Sequence, residues 1–149
     1  MARPLESVSP VRVSLTVRTK QDTEAGHVVT GSTIVRDEPA DVARAVRDGL
    51  DRPDTRVVIS TGGTGITARD GTFEAVNALF EKRLDGFGEL FRMLSFQDIG
   101  PAAMLSRATA GTIGRSAVFV LPGSEAAVRL ALSRLIIPEL GHIAQQLTK

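Results

Sequence analysis

The sequence predicts an α/β domain: a mostly parallel sheet covered by helices on both faces. Three observations carry the prediction. Short apolar or alternating runs at residues 11–17, 27–35, 56–60 and 116–121 are separated by stretches with helical apolar spacing. Two of those runs end in turns that lead into helices, Thr61-Gly62-Gly63-Thr64-Gly65 and Pro122-Gly123-Ser124. With 149 residues, 42% of them hydrophobic, the chain is long and apolar enough to bury a core of its own.

Each element follows from its residues. Residues 1–10 hold two prolines and no periodicity, and read as a loose arm before a single domain over 11–149. Val11, Val13, Leu15 and Val17 alternate with Arg12, Ser14 and Thr16, the pattern of a half-buried strand. Residues 18–27 are polar and precede a second β-like run, 27–35. Pro39 suits the first turn of a helix capped by Asp37 or Glu38, with Val42, Ala45, Val46 and Leu50 as its stripe. Pro53-Asp54 makes a turn before the strand at 56–60. Thr72 can cap a helix whose face is Phe73, Val76, Leu79, Phe80 and Leu84, ended by Asp85-Gly86. A short helical piece, 88–94, follows. Pro101 opens another helix bearing Met104, Leu105 and Ala108 and closed by Gly111. Residues 116–121 form a buried strand. The last helix starts at Ser124, and Pro138 interrupts or kinks it before Leu147.

Composition removes several function classes. Lys+Arg 18 against Asp+Glu 17 leaves a net charge of +1, no footprint for nucleic acid. With no cysteine, thiol chemistry and disulfides are excluded, and two histidines are too few for a histidine-rich metal site. No apolar run approaches a membrane span and no signal-peptide core is present, so a cytoplasmic protein is expected.

Chemistry concentrates at the turns. In an open α/β sheet the ligand crevice lies beyond the carboxyl ends of the strands, where both glycine turns are expected to meet. A turn of this kind brings backbone N–H groups close to an anion, and the following helix adds its positive end. The string is neither a P-loop nor a dinucleotide fingerprint, and a tight connection needing only positive φ is its bland alternative. Asp37 and Asp70 follow predicted strands near helix starts. Two carboxylates at one crevice can share Mg²⁺ on a substrate phosphate, or each can simply satisfy a helix N-terminus. Arg107 could hold a phosphate in its planar fork or be an ordinary salt-bridged helix residue.

Read in order, these segments resemble the MoaB/MogA family of molybdenum-cofactor biosynthesis. The resemblance rests on Thr61-Gly-Gly-Thr-Gly-Ile-Thr-Ala-Arg-Asp70-Gly-Thr72, then Gly86-Phe-Gly-Glu-Leu-Phe-Arg92, Ser95-Phe96, Ile99-Gly100, Met104-Leu-Ser-Arg-Ala108, Ala110-Gly111 and Leu121-Pro-Gly-Ser124. It covers residues 11–140, and the Gly86 segment looks more like the MoaB branch. The resemblance implies a three-layer α/β/α fold, assembly as homo-trimers or homo-hexamers, and adenylylation of molybdopterin by Mg-ATP with release of pyrophosphate. It implies that Asp37 and Asp70 are the important acids, catalytic and holding Mg²⁺. Thr61, Gly62, Gly63, Thr64 and Gly65, with Ser106, Pro122, Gly123 and Ser124, would then bind nucleotide or molybdopterin.

One segment departs from the pattern. The family's Ser-Asp after the first strand and its later Ser-Gly are missing; Arg18-Thr19 and Glu24-Ala25-Gly26-His27 stand there instead. Ten residues, 18–27, barely fit a helical crossover, so the first helix is expected to be shortened or missing. Two consequences are expected: part of one sheet face loses its cover, and catalysis is weakened or lost. The alternative function is therefore a non-catalytic paralogue that binds molybdopterin or a nucleotide.

Overall fold

The computed structural model describes residues 10–16, 27 and 29–149. The arm at 1–9 and the segment expected to lack its helix (17–26 and 28) lie outside the described residues. The elements in order are β1 (Pro10–Thr16), β2 (Val29–Arg36), α1 (Pro39–Leu50), β3 (Val57–Thr61), α2 (Thr72–Asn77), β4 (Lys82–Arg83) and α3 (Asp85–Ile99). A 3₁₀ turn (Gly100–Leu105), β5 (Thr109–Ile113), β6 (Ser116–Leu121), α4 (Glu125–Ala131), a π turn (Leu132–Ile136) and α5 (Ile137–Leu147) complete them.

The three-layer α/β/α arrangement holds. The strands form one sheet in the order β2-β1-β3-β6-β5-β4. On one face Val58, Val118 and Val120 pack against Val42, Ala45 and Val46 of α1 and Val76 of α2. On the other, Val57, Ile59, Ala117, Phe119 and Leu121 pack against Phe87 and Phe91 of α3, Ala131, Ile136 and Leu140. Alternate residues of one strand thus serve opposite layers, the consequence of a two-residue side-chain period. Phe87 and Phe119 meet edge to face at 5.0 Å, and each such buried side chain contributes roughly 1.5–3 kcal/mol of transfer free energy.

The expectation that the sheet is mostly parallel is corrected. Among the described residues β3–β6 is parallel, and the other four pairings are antiparallel. Connection length explains two of them. Gly114 takes φ +58° in the two-residue loop joining β5 to β6, a hairpin length that forces antiparallel strands. The link from β1 to β2 is likewise too short for a comfortable helical crossover, and these two strands run antiparallel. β2 therefore points the same way as β3, with β1 reversed between them.

That reversal decides what stands at the carboxyl ends of the sheet. Thr61 pairs with both Leu121 and Arg12, and Arg36 pairs with Pro10. The exits of β2, β3 and β6 share one rim with the start of β1, while β1's own carboxyl end lies at the far edge. On β2, Val29 is 65% and Ile34 58% exposed.

Helix boundaries shift for identifiable reasons. The helix expected to run from Thr72 past Leu84 stops at Asn77, and Lys82 and Arg83 pair with β5 instead. Asp85-Gly86 opens α3 rather than ending a helix. Residues 109–113, expected as the end of a helix, form β5. Gly111 belongs to a strand because the Phe80 ring lies against it, where any Cβ would overlap the ring. Pro138 falls in the first turn of α5, directly after the π turn, where its missing N–H costs little.

Candidate functional site

The two glycine turns meet at the shared rim. Gly62 N–H donates to the Leu121 carbonyl at 2.9 Å. A Cβ on Gly123 would lie only 3.4 Å from Gly62 Cα, so the turns touch backbone to backbone. Beside them opens a cavity of about 590 Å³, within the usual range for small-molecule sites. Its polar wall is residues 62–65 with Asp70, Ser95, Ser106 and the 122–124 turn. Its apolar wall is Phe91, Ile99, Leu105 and Ala127. Such a cleft suits a ligand with an anionic end and a flat or apolar end.

The two aspartates bracket the first turn from opposite sides. Gly63 takes φ +68°, and its Cα faces the Thr72 hydroxyl and Asp37 Oδ1. Thr72 Oγ1 donates to Asp37 Oδ1 at 3.0 Å, and Thr72 N–H donates to the Gly63 carbonyl at 3.1 Å. Thr72 is thus fully buried as a strut and not a helix cap; Gly71 occupies the cap position of α2. Asp70 closes the other side, accepting Thr67 N–H at 2.9 Å and the Thr67 hydroxyl at 2.6 Å.

Their electrostatics differ in sign. Burial raises the Asp37 pKa above the ordinary aspartate value; the bonds from Thr72 and Gly71 oppose this, while the charges of Asp70 and Glu38 add to it. Asp70 is lowered, first by the Thr67 hydroxyl, then by the Thr67 and Gly65 N–H groups and by Arg107, with burial opposing. Asp70 is therefore the member of the pair whose surroundings favour the charged form.

Of the residues singled out in the sequence, Gly62, Gly63, Thr64, Gly65, Asp70, Ser106, Pro122, Gly123 and Ser124 line the cavity together. Thr61 ends β3 outside the lining, and Asp37 stands behind the turn. The Ser124 side chain also accepts Ala127 N–H at 3.2 Å as the cap of α4. Ser95 went unrecognised as a site residue, although Phe91, Ser95 and Ile99 lie four residues apart on one helical stripe. Arg107 does not offer its fork to the cavity: it donates to carbonyls of the first turn and pairs with Glu74. Among the described residues no group of three or more His, Cys, Asp or Glu side chains could hold a metal alone. A metal here needs ligand phosphates to complete its oxygen set, which is the usual habit of Mg²⁺.

Comparison with known proteins gives a consistent answer. Residues 18–142 match the family model described as a probable molybdopterin binding domain. The chain is 58% identical over 125 residues to molybdenum cofactor biosynthesis protein B of Bacillus anthracis, covering 83% of this chain and 74% of that one. It is 52% identical over 127 residues to the Bacillus subtilis protein of the same name, covering 85% and 75%. A crystal structure of a molybdenum cofactor biosynthesis protein B superposes with a TM-score of 0.82 at 57% identity, covering 84% of this chain and 78% of the other. The tungsten cofactor synthesizing protein MoaB from Pyrococcus furiosus gives 0.70 at 42% identity, covering 76% and 71%.

Proposed function

This chain belongs to the MoaB/MogA family and to molybdenum-cofactor biosynthesis, and from that premise we propose that it transfers the adenylyl group of ATP to molybdopterin. The observation that carries the reading is the contact of two glycine turns over one cleft with Asp70 at its edge. A terminal phosphate oxygen of molybdopterin attacks the α-phosphorus of ATP. The bond to the bridging oxygen breaks, and pyrophosphate leaves with its electron pair. Such a reaction needs positioning and charge neutralisation more than covalent help. Backbone donors of residues 62–65 and 122–124 would face phosphate oxygens. Phe91, Ile99 and Leu105 would pack against the pterin or the adenine. Asp70, with Asp37 behind the turn, would hold Mg²⁺ on the phosphates, and the ion would supply positive charge at the α-phosphorus and the leaving group.

Incubation with molybdopterin and Mg-ATP is expected to yield adenylylated molybdopterin and one pyrophosphate per turnover. Binding of both ligands without pyrophosphate release would favour a non-catalytic binding paralogue. The reversal of β1 supports that second reading, because it turns that strand's carboxyl end, Thr16, away from the rim that holds the glycine turns.

Assembly as a homo-trimer or homo-hexamer belongs to the same proposal. Leu90, Met93, Phe96 and Ile99 on α3, with Met104 and Leu105 beyond it, are each 47–76% exposed, a larger apolar stretch than an isolated domain usually leaves in water. Ile99 and Leu105 also line the cleft, so a neighbouring copy seated there would border the ligand. Sedimentation is expected to read three or six chains, and a monomer at micromolar concentration would remove this part. No helix among the described residues is long and apolar enough to cross a membrane, and use of ATP fits a place in the cytoplasm.

A further inference from the structure

We infer that Arg107 is a positioning residue that sets the first glycine turn and Asp70 together, by holding the carbonyls at both ends of the 65–70 bend. The inference rests on the reading of this cleft as the site of transfer. Arg107 Nε donates to the Thr64 carbonyl at 3.2 Å. Nη2 donates to the Gly65 carbonyl at 2.6 Å and reaches the Asp70 carbonyl at 3.5 Å. Nη1 pairs with Glu74, and the guanidinium lies 4.9 Å from the centre of the Phe73 ring. A planar fork held on its face and on three edges has little freedom left.

In a trans peptide the C=O of one residue and the N–H of the next point in opposite directions. Fixing the Thr64 and Gly65 carbonyls toward Arg107 therefore turns the Gly65 and Ile66 N–H groups away from it. The Gly65 and Asp70 carbonyls close the two ends of a bend inside which the Asp70 carboxylate accepts Thr67 N–H at 2.9 Å and Asp70 N–H donates to the Thr67 carbonyl at 3.1 Å. One guanidinium thereby holds both ends of the bend that aims the Asp70 carboxylate, without touching a substrate. Glu74 keeps the guanidinium in register, and Arg107 in turn holds Glu74 below the ordinary glutamate value. Lysine has the charge but a single ammonium point, which cannot span three carbonyls.

The test compares wild type, Arg107→Lys and Arg107→Ala by amide hydrogen exchange and by adenylyl transfer from Mg-ATP to molybdopterin. Arg107→Lys is expected to lower kcat by about 10- to 100-fold with little change in the KM for ATP, since a charge at that site remains. The amides of Thr67 and Asp70 are expected to exchange at least about 10-fold faster, because the bend that holds their acceptors opposite them is no longer tied at both ends. Millimolar guanidinium is expected to restore part of the activity of Arg107→Ala. Unchanged exchange at Thr67 and Asp70 in Arg107→Lys, with wild-type kcat, would overturn the inference while leaving the proposed function standing. A wild type without transfer, whose amides still loosen in Arg107→Lys, would overturn the function and keep the positioning. If Arg107→Ala does not fold, Arg107→Lys alone decides.

Discussion

Asp70→Asn is expected to lower adenylyl transfer by about 10²- to 10³-fold, the usual cost of removing one electrostatic stabiliser from a transition state. Asparagine is the informative substitution because its carbonyl oxygen can still accept the Thr67 N–H and hydroxyl, so the 67–70 bend survives while the charge does not. Asp70→Ala removes both and is expected to be no more active. Asp37→Asn is expected to cost about 10-fold, since this side chain supports the turn from behind. Stability separates the two acids by sign. The Asp70 pKa is lowered, so its ionised form contributes stability above the ordinary aspartate value, and this is lost as pH falls through the folded value. The Asp37 pKa is raised, so the folded protein holds that proton longer than the unfolded chain. Its contribution declines as pH rises from the ordinary value through the raised one. At neutral pH Asp37→Asn should therefore melt no lower than wild type, and Asp70→Asn should melt lower. Pyrophosphate release and thermal melting from acid to neutral pH check both. Full activity in Asp70→Asn would remove Asp70 from the chemistry.

The site was more legible than the sheet, for a physical reason. Glycine turns after apolar runs declare themselves locally, because few residues other than glycine allow the φ of +103° and +68° found at Gly62 and Gly63. That the 61–65 and 122–124 turns share one rim followed from the rule for strand exits. Strand direction is a long-range property, and the alternation of Val11, Val13 and Leu15 looks the same in either direction. β5 was hidden because Ala110 and Gly111 at its centre have weak strand preference, Gly111 being set by the Phe80 ring that lies against it. α2 was overextended because Leu79, Phe80 and Leu84 keep helical spacing after the chain has left the helix. Arg107 was visible as a cation at the right place, but a sequence does not reveal whether a guanidinium faces a ligand or the protein's own carbonyls.

Gly63→Ala is expected to be strongly damaging for the addition of a single methyl group. Two penalties act together. A residue with a Cβ at φ +68° carries a left-handed strain of roughly 1–2 kcal/mol. The added methyl would also overlap the Thr72 hydroxyl and lie 2.7 Å from Asp37 Oδ1. Thr72 is fully buried and cannot swing aside without breaking its bonds to Asp37 and to the Gly63 carbonyl. Together these should cost about 2–4 kcal/mol, lowering Tm by roughly 5–15 °C in a domain of this size. Transfer should fall as well, because the same displacement moves the N–H groups of residues 62–65. Gly86→Ala is the matching control: nothing lies within 4 Å of its would-be Cβ, its φ is ordinary, and it sits in α3, so it should be neutral or add up to about 1 kcal/mol. Thr72→Ala combined with Gly63→Ala should cost less than the sum of the two, because the first removes the oxygen that the second strikes. If Gly63→Ala melts with wild type and transfers at the wild-type rate, the turn has room to spare and is no tight cradle for phosphate.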